Sequence, residues 1–240
     1  MLMKICDLHT HVLPASDDGA PTMEYALRML QNAAASDVAV LAVTPHCNDF
    51  YGNRMSAALQ DSFSQLQQAA KDIPLELVLG GEAMAEESLP RLLQQGSIPT
   101  INGSRYLLTE FPMDTKASAF LPMLQQILDL GYVPLIAHPE RYMAVCNAPQ
   151  LVFPWLELGC HLQLTGGSIL GDYGKTVRQA ATYLLQRDLV ACVASDAHGV
   201  HHRSNFLLDV YDHLAVHYSK QYAQCLLWET PMAICHNDHI

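Results

Sequence analysis

Residues 7–11 read Asp7-Leu8-His9-Thr10-His11, directly after the run Leu2-Met3-Lys4-Ile5-Cys6. Side chains alternate along a strand, so positions i and i+2 share a face. If residues 3–8 form a strand, His9 and His11 leave its end pointing the same way. Two imidazoles so placed suit one metal ion. A lone His-x-His pair is also ordinary loop chemistry. Its meaning depends on what other strands deliver to the same place.

Moving outward, apolar and often β-branched runs at 38–44, 75–80, 106–109, 133–137, 161–164 and 190–194 repeat the strand signal. Helical periodicity fills 22–35, 55–70, 117–130 and 175–187 between them. The first of these carries Met23, Ala26, Leu27 and Leu30 on one stripe. The second carries Leu59, Phe63 and Leu66, and Gly131 closes the third. Seven strands alternating with helices predict a parallel α/β architecture, and the 240-residue length favours barrel-like closure over an open sheet. Residues 1–240 are expected to form a single domain. The stretch after Ser204 reads as helical to about Trp228.

Half of the residues are hydrophobic and 15% are charged, a globular composition. The formal net charge of −11 and the lack of a basic, aromatic-laced tract argue against a nucleic-acid partner and weaken a nuclease reading. Seven cysteines, an odd number with no Cys-x-x-Cys spacing, fit reduced thiols and a cytoplasmic location. Neither a secretory leader pattern nor a run of about 18 apolar residues is present, so membrane insertion is not expected. No cysteine has an arginine six positions on, which sets aside thiolate phosphatase chemistry. No Walker-type phosphate loop occurs either.

The strand ends carry the functional signal. The first delivers His9 and His11, followed by Asp17-Asp18-Gly19, and the second delivers Thr44-Pro45-His46. Glu82 follows the third, Glu110 the fourth and His138-Pro139-Glu140-Arg141 the fifth. The sixth gives way to Thr165-Gly166-Gly167-Ser168, where backbone N–H groups could meet an anion or simply make a tight turn. The seventh ends in Ser195-Asp196-Ala197-His198. In parallel α/β barrels this is the active-site end. His9, His11, Asp18, His46, Glu82, Glu110, His138, Asp196 and His198 are therefore the candidate metal ligands. Each alone reads equally well as a cap, an ion-pair partner or a polar loop residue. Their recurrence at one rim argues for a divalent transition-metal centre, and nine suit two or three ions better than one.

With these residues in view, DLHTH, TPH, GGE, TEF, HPER and SDAH, in this order, resemble the PHP (polymerase and histidinol phosphatase) metal-dependent phosphoesterases. LHTHVLPASDDGA, HPERY, LQLTGGSILGDYG and ASDAHG are similar to a narrower group, the bacterial manganese-dependent protein tyrosine phosphatases of capsule and exopolysaccharide operons. The resemblance spans residues 3–203. It implies a distorted (β/α)7 barrel with a trinuclear centre held by the nine residues above, with Mn first and Fe or Zn as alternatives. Arg141 and Arg203 match arginines that hold the substrate phosphate, and Asp18 matches an acidic residue that is a ligand or a proton donor. Two departures stand out. Cys47 occupies a place where the family often has histidine, and TGGS stands where Asn or Ala is common.

The resemblance implies hydrolysis of phosphotyrosine on a bacterial tyrosine kinase tail. Histidinol-phosphate-type hydrolysis and a non-catalytic metal-binding regulatory domain are the competing expectations. Tyr142 and Tyr173 are expected either at the site mouth or in the core. Cys47 and Cys146 are expected to line or pack near the rim, and His201, His202, His236 and His239 to be exposed.

Overall fold

A computed structural model describes residues 4–204 and 206–240. Met3, the expected start of the first strand, and Asn205 lie outside the described residues. All seven expected strands are present: β1 (Ile5–Asp7), β2 (Val38–Val43), β4 (Glu76–Leu79), β6 (Tyr106–Glu110), β7 (Val133–Ala137), β8 (His161–Thr165) and β9 (Cys192–Ala194). Two short strands were not legible in the sequence. β3 (His46–Cys47) resumes the line of β2 after Thr44-Pro45, and β5 (Glu82–Met84) resumes that of β4 after Gly80-Gly81.

Every pairing is parallel, in the orders β1-β2-β4 and β3-β5-β6-β7-β8-β9. Gly80 N to Val43 O (2.9 Å) and Glu82 N to Pro45 O (3.1 Å) carry the ladder across the breaks. Asp196 N donates to His9 O and His11 N to Ala197 O, both at 2.9 Å, so the last strand meets the first. The seven strand positions thus form a ring, the distorted (β/α)7 barrel. Its distortion has a local cause: at Gly81 a Cβ would lie 2.7 Å from both Cys47 Sγ and Pro99 Cγ, so only glycine lets the broken strands approach this closely.

The helices cover the outside. Met23–Ala35 starts where Thr22 accepts from Tyr25 N, and Ala57–Ala69 where Ser56 accepts from Leu59 N, both at 3.2 Å. Ala117–Asp129 and Lys175–Leu185 fall where the periodicity predicts them. Beyond Ser204 the chain forms Leu208–His217, Lys220–Gln224, a π-helical turn at Cys225–Glu229, and Thr230–Cys235. Among the described residues no helix is long and apolar enough to cross a membrane.

Alternation along the strands separates two cores. Cys6, Val40, Ala42, Val78, Tyr106, Leu108, Leu135, Ala137 and Cys192 form an inner cluster, closed at one end by Ile234 and Cys235. The intervening Leu41, Val43, Ile136, Leu162, Leu164 and Val193 join the outer layer under the helices. This inner row fixes where the polar strand-end residues point.

Candidate metal centre

Extending the inner rows by steps of two reaches the site. Val40 and Ala42 lead to Thr44 and His46, and Val78 leads to Gly80 and Glu82. Tyr106 and Leu108 lead to Glu110, and Cys192 leads to Asp196. His138 has the wrong parity, one step past Ala137. It adopts a left-handed backbone (φ 36°), uncommon outside glycine, and its imidazole reaches Glu82 at 3.1 Å. Asp196 and Arg203 also have positive φ (53° and 48°). Such strained positions cluster at functional sites. Strict alternation from Cys6 would also turn His9 and His11 away, but the strand ends at Asp7 and both rings face inward.

All nine candidate residues lie in one cluster of overlapping groups: His11, Asp18, His46 and His198; His9, His11 and Asp196; His9, Glu82 and His138; His46, Glu82 and Glu110. His9 Nδ1 faces Gln163 Oε1 (2.9 Å) and His11 Nδ1 faces Asp17 Oδ2 (2.8 Å). Gln163 donates its amide to Leu164 O (2.7 Å), which leaves Oε1 as an acceptor. These acceptors fix a proton on each Nδ1 of the neutral rings, so both Nε2 atoms carry lone pairs. The two Nε2 atoms stand 3.1 Å apart. Two lone pairs converging in this way repel unless positive charge lies between them.

The same signature recurs. His46 Nδ1 lies 2.9 Å from Glu82 Oε2, yet neither atom has a partner of hydrogen-bond geometry. His198 Nε2, 3.4 Å from Asp18 Oδ1, is also without one. Short approaches without hydrogen-bond alignment mean that donor atoms aim at a common point rather than at each other. Burial disfavours charge on His46, but Asp18 and Glu82 outweigh it and push the ring up to about 11. Burial is likewise outweighed at His11 by Asp17 and Glu82, which push it up to about 9. Burial and the charge of Glu82 push Glu110 up to about 8. Four carboxylates among five imidazoles thus demand positive charge. The mixed nitrogen and oxygen donors are those of divalent transition metals, and the residues fit such ions.

Asp196 joins the cluster to the arginines. Its Oδ1 lies 3.5 Å from His9 Nε2, 3.6 Å from His11 Nε2 and 3.5 Å from His198 Nδ1. Its Oδ2 accepts from Arg141 Nη1 (2.6 Å) and Arg203 Nη2 (2.7 Å). The sequence-predicted arginines are therefore neighbours at one carboxylate. Asp18 is 48% exposed and marks the mouth, and the His198 and His46 imidazoles hold its carboxyl far below the ordinary range.

Several supporting residues escaped the sequence reading. Asp17 orients His11 and also accepts from His46 N and Gly19 N, both at 3.0 Å. Its signal was the Asp-Asp pair, of which only one member was assigned. The signal for Gln163 is the alternation His161-Leu162-Gln163-Leu164-Thr165, which sets it on the same face as two other polar residues. Asp7, buried and pushed up to about 6 by that burial, accepts from Ser195 N (2.9 Å) and Oγ (2.6 Å). Buried Glu140 accepts from Thr165 N (2.9 Å), tying the loop of His138 to the next strand end.

Other expectations resolve as follows. Tyr142 is core: its hydroxyl donates to Ala137 O (2.7 Å) and accepts from Phe111 N (3.0 Å). Tyr173 is at the site, its ring 4.7 Å from the Arg141 guanidinium. Gly166-Gly167-Ser168 opens the short helix Gly166–Leu170. Cys47 is buried, and burial pushes its thiol up to about 12, so it packs. Cys146 is half-buried, its thiol facing Glu140 O at 3.0 Å. His201, His202, His236 and His239 are exposed.

A model of the capsular polysaccharide synthesis family CpsB/CapC matches residues 5–236. The chain belongs to the CpsB/CapC family. It is 32% identical over 200 residues to the tyrosine-protein phosphatase YwqE of Bacillus subtilis, across 82% of this chain and 79% of that protein. It is 32% identical over 235 residues to the tyrosine-protein phosphatase CpsB of Streptococcus pneumoniae, across 95% and 97%. A crystal structure from work on YwqE and CpsB, described there as unique metal-dependent tyrosine phosphatases, superposes with a TM-score of 0.91 at 30% identity over 98% of this CpsB/CapC chain and 96% of that one. The lactonase Lmo2620 of Listeria monocytogenes shares the fold alone, with a TM-score of 0.61 at 10% identity over 97% and 94%.

Proposed function

We propose that this CpsB/CapC protein is a metal-dependent protein-tyrosine phosphatase. Its substrate would be a phosphotyrosine-bearing protein, the tail of a bacterial tyrosine kinase, met in the cytoplasm during capsule or exopolysaccharide control. One observation carries the reading: Asp196 presents one oxygen to the imidazoles and the other to Arg141 and Arg203. A phosphate seated there touches cation-binding donors and guanidiniums together. The naming of YwqE and CpsB supports the same chemistry.

We take the ions to be three, with Mn as the first choice. His9, His11 and Asp196 would hold one, Asp18, His46 and His198 another, and Glu82, Glu110 and His138 the third. The chemistry such ions would supply, when bound, is neutralisation of phosphate charge and a lowered pKa of water at the site. Arg141 and Arg203 grip phosphate oxygens, each with its planar fork. Asp17 and Gln163 hold the protons of His11 and His9 on the nitrogens that face away from the cluster. A phenolate, with a pKa of about 10, leaves with little acid help. Asp18, kept ionised by His198 and His46, is assigned to ion binding rather than proton donation.

The test is phosphate release from a phosphotyrosyl peptide, with Mn²⁺ added and then chelated. Metal-dependent release, lost in His138→Ala while the circular dichroism spectrum is kept, is expected. Release confined to histidinol phosphate moves the assignment to a small-molecule phosphatase. A metal-loaded protein inert on every phosphomonoester ends the catalytic reading.

A further inference from the structure

The arginine side of the cluster opens into a cavity of about 520 Å³. Arg203 lines it and bonds Asp196 Oδ2, so the cavity begins where the phosphate would be gripped. Tyr173 lines it too, and the same ring lies 4.7 Å from the Arg141 guanidinium. Both arginines therefore border the space, one directly and one through an aromatic ring. The remaining wall is mixed: Phe206, Leu207 and Val210 supply its apolar part, and Ser195, Ser204, His201 and His202 its polar part. Phe206 is 45% exposed, a large apolar side chain facing solvent beside a charged site.

Two further observations define the occupant. Gly167 has no side chain where a Cβ would sit 3.1 Å from Tyr173 Cε2 and 3.0 Å from Asp172 Oδ2, so glycine makes room for the Tyr173 ring. Asp172 and Asp209 also line the cavity, and two carboxylates repel a second anion. The part of the space flanked by the Tyr173 and Phe206 rings therefore suits a neutral, flat group rather than a second anion. Displacement at phosphorus keeps attacking and leaving oxygens roughly in line. With attack from the imidazole–carboxylate side, the ester oxygen and its substituent face the arginine side.

We propose that the cavity between Tyr173 and Phe206 receives the phenyl ring of the phosphotyrosyl ester and selects aryl over alkyl phosphates. This rests on the phosphatase reading above. Phe206 is then a specificity-determining residue, supplying an aromatic wall to the leaving group.

The test is calorimetric binding of two probes to the manganese-loaded protein: benzylphosphonate, a non-hydrolysable mimic of an aryl phosphate, and inorganic phosphate. The wild type is expected to bind benzylphosphonate at least about tenfold more tightly than phosphate, the range of an aromatic contact plus ring burial. Phe206→Ala should lose about tenfold on benzylphosphonate and change phosphate affinity less than about twofold, and Phe206→Trp should restore the preference. Because Phe206 is half exposed, its truncation leaves the fold intact. Equal affinities in the wild type, or equal losses on both probes in Phe206→Ala, overturn the proposal. Since binding is read without turnover, failure here is separate from failure of the phosphatase reading, which shows as absent phosphate release.

Discussion

Asp17 shows how one side chain outside the candidate ligand set governs two members of it. Its carboxylate accepts hydrogen bonds from His11 Nδ1 and from the backbone N–H groups of His46 and Gly19. The first contact fixes the tautomer of His11, and the second fixes the start of β3. Partners of this kind alter metal affinity about 10–100-fold when changed. Asp17→Asn keeps the size but turns one oxygen into a donor, which cannot accept from His11. Manganese affinity is expected to fall by that range, as read by metal titration. An unchanged affinity would mean that His11 is oriented by something else. Asp196 illustrates the complementary case, in which the two oxygens of one residue serve two chemistries.

At the level of elements, strand ends supply the chemistry and loops set its aim. Residues 12–20 fold back so closely that Ala20 N donates to His11 O at 3.0 Å. A Cβ at Gly19 would sit 1.9 Å from His11 O and 2.5 Å from His11 Cβ. Gly19→Ala must therefore push the loop away from His11 and move Asp17 and Asp18 with it. Overpacking of this kind costs about 1–3 kcal/mol, and each kcal/mol lowers the melting midpoint by about 2–4 °C in a chain of this size. Differential scanning calorimetry should show that fall, with manganese affinity reduced in parallel. A variant with wild-type melting and loading would refute the close-packed reading of this loop.

For the molecule as a whole, six of the seven strand positions aim mutually repelling lone pairs and carboxylates at one point. Ions bound there stabilise the folded barrel alone, because the unfolded chain has no assembled site. A ligand present at 100 times its dissociation constant adds about 2.7 kcal/mol, or about 5–10 °C of melting midpoint at this length. Chelation is expected to lower the midpoint by that amount, and readdition of Mn²⁺ to restore it. A midpoint indifferent to chelation would argue that the cluster is stable without cations.

Local pattern alone carries the seven strands, the four principal helices, the eight candidate ligands that follow strand ends, Asp18 in the loop after β1, and the two arginines. Period-two and period-3.6 patterns are local, and helix ends are marked locally too, by the hydroxyls of Thr22 and Ser56 and by the positive φ of Gly131. Tertiary structure decided the rest. The resumption of β2 and β4 as β3 and β5 depends on neighbours that bridge the breaks. The inward turn of His138 depends on a left-handed backbone that alternation does not anticipate. Asp17, Gln163 and the cavity beside Arg203 gain their meaning from residues as far as 154 positions apart, as with His9 and Gln163. Orientation and shared contacts arise only once distant strand ends are brought to one rim, so local pattern carries the list of donors and the closed barrel carries their geometry.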